Sequence, residues 1–175
     1  LYIYKMCGIY FSLYYDTELE EDNWKLIKHR GPDNSNSFFY KKHFFGFHRL
    51  ALQDISDKGN QPFLLKNIIL VCNGEIYNFK ELKSEYKIET NSESDCEIIL
   101  HLYKKIGIEE TIKRLSGYFA FILYDIEKDL YYSGRDPFGV RSLYYGKKKI
   151  NNEYIFSSEI KALYKSCIPE TIKIF

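Results

Sequence analysis

With 175 residues the chain fits a single domain, long enough to bury about two thirds of the surface its unfolded form exposes. Its 25 lysines and arginines against 24 aspartates and glutamates leave a formal charge of +1, and no half of the chain collects the basic residues that follow a phosphate backbone, so nucleic acid and anionic membrane are not expected partners. The longest apolar runs, such as YFAFILY at 118–124, are far shorter than the roughly 20 residues of a membrane helix, and LYIYK at 1–5 lacks the apolar core of a signal peptide, which makes the cytoplasm the expected location.

CGIYFSLYY, from Cys7, alternates enough to be a strand. A helix is expected from about Leu19 to Lys28, with Trp24, Ile27 and Lys28 crowding one face, and Arg30-Gly31-Pro32 stops it. From Phe38 to Leu52 the pattern is aromatic and extended. Ile68 to Cys72 is an apolar run of strand length that is expected to break at a turn at Asn73-Gly74. Asn78 and Ser94 each have a glutamate three positions on, the capping-box spacing, so helices are expected to start near 79 and 95, the second with Ile99, Leu102, Tyr103 and Ile106 on one face. Ile108, Ile112 and Leu115 mark another short helix. YFAFILYD, LYYSGRD, SLYYG and EYIFSS read as four successive strands, and a last helix is expected from Glu159 to Tyr164. Many strands with short turns and helices bunched in two groups predict an α+β domain of antiparallel sheets covered by helices. No GxxxxGK[ST] or GxGxxG is present to cradle a nucleotide.

Cys7, Cys72, Cys96 and Cys167 form no CxxC pair and share the chain with four histidines, so neither a zinc site nor a disulfide framework is indicated, and no metal or cofactor is expected in this chain. A lone cysteine is more often a small buried hydrophobe. Cys7 differs because it follows Met6, and a cysteine left as the first residue carries a thiol and an α-amine together; the amine titrates near 8 and can act as general base to the thiol. Asn73 and Gly74 offer a side-chain amide and a backbone N–H that could hold an oxyanion, or form a plain tight turn. Arg49 could clamp a carboxylate bidentately, or be an exposed strand arginine. Asp95 opens a helix, where a carboxylate is favourable for electrostatic reasons alone.

Taken in order, MCGI, RGPD at 30–33, HRLAL at 48–52, NQP at 60–62, NGEIYN at 73–78, SD at 94–95, LSGYFAFILYD at 115–125, RDPFGVRSLYY at 135–145 and SSEIKAL at 157–163 resemble the class II glutamine amidotransferase domain of glutamine-hydrolysing asparagine synthetases. The resemblance runs from Met6 to Leu163. It implies a four-layer sandwich, two antiparallel sheets between layers of helices, of the N-terminal nucleophile hydrolase type, and release of ammonia from glutamine. It further implies Cys7 as nucleophile with its own amine as base, Asn73 and Gly74 as oxyanion hole, and Arg49 on the substrate α-carboxylate. Glu75 and Asp95 would lie around the α-amino end, with Leu50 and Leu52 lining the glutamine pocket.

Three features depart from the family pattern: GFHR before Leu50, VRSL at 140–143, and LYIYK before Met6, which deprives Cys7 of a free amine while attached. The expectation is therefore a domain over 7–175, with residues 1–6 removed or non-native. No SGGxDS loop occurs, so a following synthetase domain, with its ATP and Mg, is expected to be absent here and to act as partner; the resemblance also allows a homodimer. Two readings compete with a glutaminase serving asparagine synthesis: the glutaminase part of another amidotransferase, and a non-catalytic interaction domain if Cys7 is not N-terminal.

Overall fold

The computed structural model describes residues 6–13 and 17–175; LYIYK at 1–5 and the Tyr14-Tyr15 end of the first expected strand lie outside them. The described strands are β1 (Gly8–Ser12), β2 (Asn34–Tyr40), β3 (His43–Arg49), β4 (Phe63–Leu65), β5 (Ile68–Ile76), β6 (Gly117–Asp125), β7 (Leu130–Arg135), β8 (Tyr144–Lys147), β9 (Tyr154–Ser157) and β10 (Lys173–Ile174). They form a six-stranded sheet in the order β10-β8-β9-β1-β3-β2 and a four-stranded sheet in the order β4-β5-β6-β7. Every pairing between these strands is antiparallel.

Strand periodicity of two builds the layers, because successive side chains leave opposite faces. Ile9, Phe11, Phe45 and Phe47 of the larger sheet meet Ile69, Val71, Ala120 and Ile122 of the smaller one in a central apolar layer. The alternate residues face outward: Leu70, Cys72, Phe121 and Leu123 pack under α2 (Phe79–Glu85) and α3 (Ile98–Arg114). On the other side Tyr10, Phe44 and Ile155 pack with Trp24 of α1 (Thr17–Lys25) and with Ala162 and Leu163. Three apolar layers between four layers of structure give the expected α+β sandwich. Cys72, Cys96 and Cys167 are buried free thiols within these layers.

The elements differ from expectation at several points. β5 does not break at Asn73-Gly74 but runs nine residues to Ile76, with Asn73 opposite Ala120, Gly74 opposite Phe119 and Glu75 opposite Tyr118. Pairing along the whole of β6 overrides the local turn preference, and the glycine serves close approach instead: a Cβ on Gly74 would lie 2.7 Å from Phe119 Cβ. Neither capping box forms. Asn78 bridges to the end of α3, its Nδ2 donating to the Arg114 carbonyl at 2.8 Å and its Oδ1 accepting from Ser116 N at 3.0 Å. Asp95–Glu97 is a 3-10 turn leading into α3, with Glu97 turned back to accept from Asn91 N and Ser92 N. The short helix expected around Ile108–Leu115 is the second half of α3, set off by Gly107 at φ 75°. Residues 160–162 make only a 3-10 turn where a helix was expected, and α1 ends at Lys25, with a separate 3-10 turn at 28–30.

Candidate active site

β1 and β3 lie antiparallel with Gly8 opposite His48, which brings the residue before β1 and the residues ending and following β3 to one end of the sandwich. There Cys7 Sγ accepts a hydrogen bond from Leu50 N at 3.3 Å and donates to the Leu50 carbonyl at 3.5 Å. The C-terminal half of β5 brings Asn73, Gly74 and Glu75 to the same end from the other sheet, and the turn before α3 adds Asp95. A cleft of about 450 Å³ open to solvent is lined by Cys7, Arg49, Leu50, Leu52, Gly74, Glu75 and Asp95. Asn73 lines an adjoining cleft of about 570 Å³ together with Met6 and Arg141; Cys7, Leu52, Gly74 and Glu75 border both. All eight residues singled out in the sequence therefore converge, and the thiol stands where the two clefts meet.

Burial pushes the Cys7 thiol up to about 11, and the Leu50 N–H only partly offsets it. At neutral pH Cys7 is a thiol, and nucleophilic attack needs a base. No histidine borders either cleft. The four rings are engaged elsewhere: His29 with Glu159, His101 with Glu97, His43 against Tyr124, and His48 stacked on Trp24 at 4.5 Å with its ring nitrogens held by Ser35 Oγ and the Trp24 carbonyl.

Arg49 is buried, not an exposed strand arginine. Its Nη1 donates to the Ser56 carbonyl at 2.7 Å and to Asn60 Oδ1 at 2.8 Å, which anchors the 51–60 loop over the cleft. Asp54 ties that loop further by accepting from Ser56 Oγ, Ser56 N and Glu93 N; the Ser56 hydroxyl is the main cause of its carboxyl lying below the usual range. Asp95 is buried and accepts from Ile76 N, and burial raises its carboxyl above the usual range against that bond. Glu75 pairs with Arg141 Nη2 at 2.7 Å. Asn73, pictured from sequence as aimed at a substrate oxyanion, is engaged at rest: with its amide oriented so that both ends are satisfied, Nδ2 donates to the Cys7 carbonyl at 3.2 Å and Oδ1 accepts from Arg30 Nη2 at 3.3 Å.

Arg30, Arg141 and Gln61, to which no role is assigned from the sequence, lie in the motifs RGPD, RDPFGVRSLYY and NQP respectively. Arg30 Nε donates to the Cys7 carbonyl at 2.9 Å, and Gln61 holds both the N–H and the carbonyl of Cys72 in β5. Among the described residues no group of three or more His, Cys, Asp or Glu side chains could hold a metal ion, and no helix is long and apolar enough to cross a membrane.

The glutamine amidotransferase domain family matches residues 6–173. The chain belongs to that family. This amidotransferase domain is 40% identical to a putative asparagine synthetase [glutamine-hydrolyzing] 2 of Methanocaldococcus jannaschii, over 90% of the chain and 35% of the relative. It is 41% identical to asparagine synthetase B [glutamine-hydrolyzing] of Escherichia coli K12, over 86% of the chain and 27% of the relative. The chain thus spans about a third or less of the length of these relatives. In fold it is similar to a glutamine phosphoribosylpyrophosphate amidotransferase from B. subtilis complexed with ADP and GMP, with a TM-score of 0.72, 18% identity, and coverage of 97% of this chain and 49% of that one.

Proposed function

We propose that this amidotransferase domain hydrolyses glutamine through Cys7 and supplies the ammonia to ATP-dependent asparagine synthesis in a following domain. The observation that carries the reading is the cleft itself. Its thiol shares the cleft with a buried guanidinium, Arg49, and with carboxylates, Glu75 and Asp95, the charges that the α-carboxylate and α-ammonium of an amino acid require. In the proposed reaction the Cys7 sulfur attacks the γ-carbonyl carbon of glutamine while the α-amine of Cys7 takes the thiol proton. The amine then delivers that proton to the departing nitrogen, which leaves as ammonia, and water cleaves the γ-glutamyl thioester to glutamate. The raised titration of the thiol fits this order, because the proton is removed as the bond forms.

The mechanism requires Cys7 to be the first residue, so removal of residues 1–6 is part of the proposal. Gly74 and Asn73 are the proposed oxyanion donors, with Asn73 releasing the Cys7 carbonyl or sharing its amide as charge develops. The relatives named as asparagine synthetases [glutamine-hydrolyzing] support asparagine synthesis as the destination of the ammonia.

The test is glutamate release from glutamine by chain with Cys7 exposed, alongside chain retaining residues 1–6. Activity should appear only with Cys7 first. Cys7→Ala should abolish it and Cys7→Ser nearly so, while Cys72→Ala and Cys167→Ala retain it. Full activity with residues 1–6 attached would refute the amine's role, and glutamate release by Cys7→Ala would refute the nucleophile.

A further inference from the structure

Arg30 is buried, yet every arm of its guanidinium is used. Nε donates to the Cys7 carbonyl at 2.9 Å, Nη2 to Asn73 Oδ1 at 3.3 Å, and Nη1 to Glu159 Oε1 at 3.2 Å. Among the described residues Glu159 is the one carboxylate within ion-pair distance of it. A guanidinium removed from water is stable only when paired, so the orientation of Arg30 depends on that carboxylate.

Glu159 is itself fixed. Its Oε1 also meets His29 Nε2 at 2.9 Å, its Oε2 meets Lys161 Nζ at 3.0 Å, and its backbone N–H donates to Ser157 Oγ at 3.2 Å. The preceding residue is clipped to β1 two positions after Cys7: Ser158 N donates to the Ile9 carbonyl and Ser158 Oγ accepts from Ile9 N, both at 3.0 Å. The β9 end thus holds Arg30 from behind while Arg30 holds the nucleophile's backbone in front.

We infer that Glu159 is a positioning residue for Cys7, acting through Arg30 on the Cys7 carbonyl and the Asn73 amide. The inference rests on the glutaminase reading above. Glu159 borders neither cleft, so its loss should leave glutamine binding alone and act on the step in which the Cys7 backbone must aim thiol and amine together. Without the carboxylate, Arg30 loses its counter-ion, and the carbonyl and amide it holds lose a fixed donor.

The experiment measures kcat and KM for glutamine in chain with Cys7 exposed, as wild type, Glu159→Gln, Glu159→Asp and Lys161→Ala, with thermal midpoints for each. Glu159→Gln keeps the shape and removes the charge; kcat should fall about ten- to a hundredfold, the cost of small misplacements at a reacting centre, with KM within about twofold. Glu159→Asp should recover part of kcat, and Lys161→Ala, which leaves the carboxylate in place, should match wild type. A Glu159→Gln kcat within twofold of wild type, or a loss carried by KM, overturns the inference while the glutaminase reading stands. If Glu159→Gln does not fold, Glu159→Asp decides: a folded variant with wild-type kcat overturns the inference and one with reduced kcat at unchanged KM supports it. Wild-type chain that releases no glutamate overturns both.

Discussion

Replacing Arg49 by lysine keeps one positive charge in the cleft and removes the planar fork, so it separates the two jobs this side chain is proposed to do. Nη1 anchors the 51–60 loop through the Ser56 carbonyl and Asn60 Oδ1. The guanidinium also lines the cleft where the substrate α-carboxylate is proposed to sit. A hydrogen bond to a charged group contributes about 1.5–3 kcal/mol, and a compact ammonium cannot bridge two loop acceptors and a carboxylate in the same directions. Loss of one such bond to substrate predicts a fall in kcat/KM of roughly ten- to two-hundredfold. The fall should be carried by KM, because the α-carboxylate is at the far end of glutamine from the carbonyl under attack and is held alike before and during the reaction. On the loop side the same loss should lower the thermal midpoint by about 3–12 °C. Initial rates of glutamate release across a range of glutamine concentrations, with melting curves, measure both. A reduced kcat at unchanged KM would refute the reasoning, since it would put Arg49 in the chemical step.

Asn73→Ala should lower kcat by about two to three orders of magnitude with little change in KM, the signature of a lost oxyanion donor, and a raised KM at unchanged kcat would remove that role. Acid unfolding should reveal Glu97: burial opposes its charge, but bonds from His101, Ser92 and Asn91 outweigh burial and hold its carboxyl down at about 2. A lowered folded-state value means stability that is present above the ordinary carboxyl range and lost as pH falls toward 2; Glu97→Gln should therefore unfold more easily at pH 7 and show a shallower decline below about pH 4.5, and identical acid curves would contradict this. Incubated with glutamine, aspartate and Mg-ATP, the chain with Cys7 exposed should yield glutamate without asparagine or AMP, and ATP-dependent asparagine formation would overturn the proposed division of labour.

Much of the architecture was legible because GIYFS, YFAFILYD and EYIFSS are apolar and aromatic runs of strand length, the pattern of strands buried on both faces. The short edge strands β4 and β10 were not, since three and two residues carry no period. Asn73-Gly74 misled for a definite reason: the pair is a strong local turn signal, and only the ladder to Ala120 and Phe119, some 45 residues away, shows that the strand continues. The capping boxes failed similarly, because Asn78 and Glu97 found partners at 114–116 and 91–92. Of the candidate site, the eight residues with recognisable chemistry or motif position do come together at the two adjoining clefts. Arg30, Gln61 and Arg141 drew no role from the sequence because they hold other protein groups, and such contacts have no spacing in the sequence.

The site also explains why the sandwich must be well packed at its centre. Arg49 ends β3 of the six-stranded sheet and Cys7 and Leu50 flank its strands, Asn73, Gly74 and Glu75 belong to the four-stranded one, and Asp95 to the helical layer beyond it. Ladder hydrogen bonds fix residues within a sheet but place no limit on how one sheet sits over another. That relation is left to the interdigitated side chains of the central layer, Ile9, Phe11, Phe45 and Phe47 against Ile69, Val71, Ala120 and Ile122. Phe47 belongs to this layer and also lines the cleft. The bonds from Arg30 to the Cys7 carbonyl and to Asn73 cross from one sheet's residues to the other's, and at about 3 Å they tolerate little sliding. Alignment of the thiol with the groups on β5 is therefore a property of the inter-sheet core as much as of the cleft, and the two apolar residues that each of β1 and β3 places there, Ile9 and Phe11, Phe45 and Phe47, are what keep the halves of the site in register.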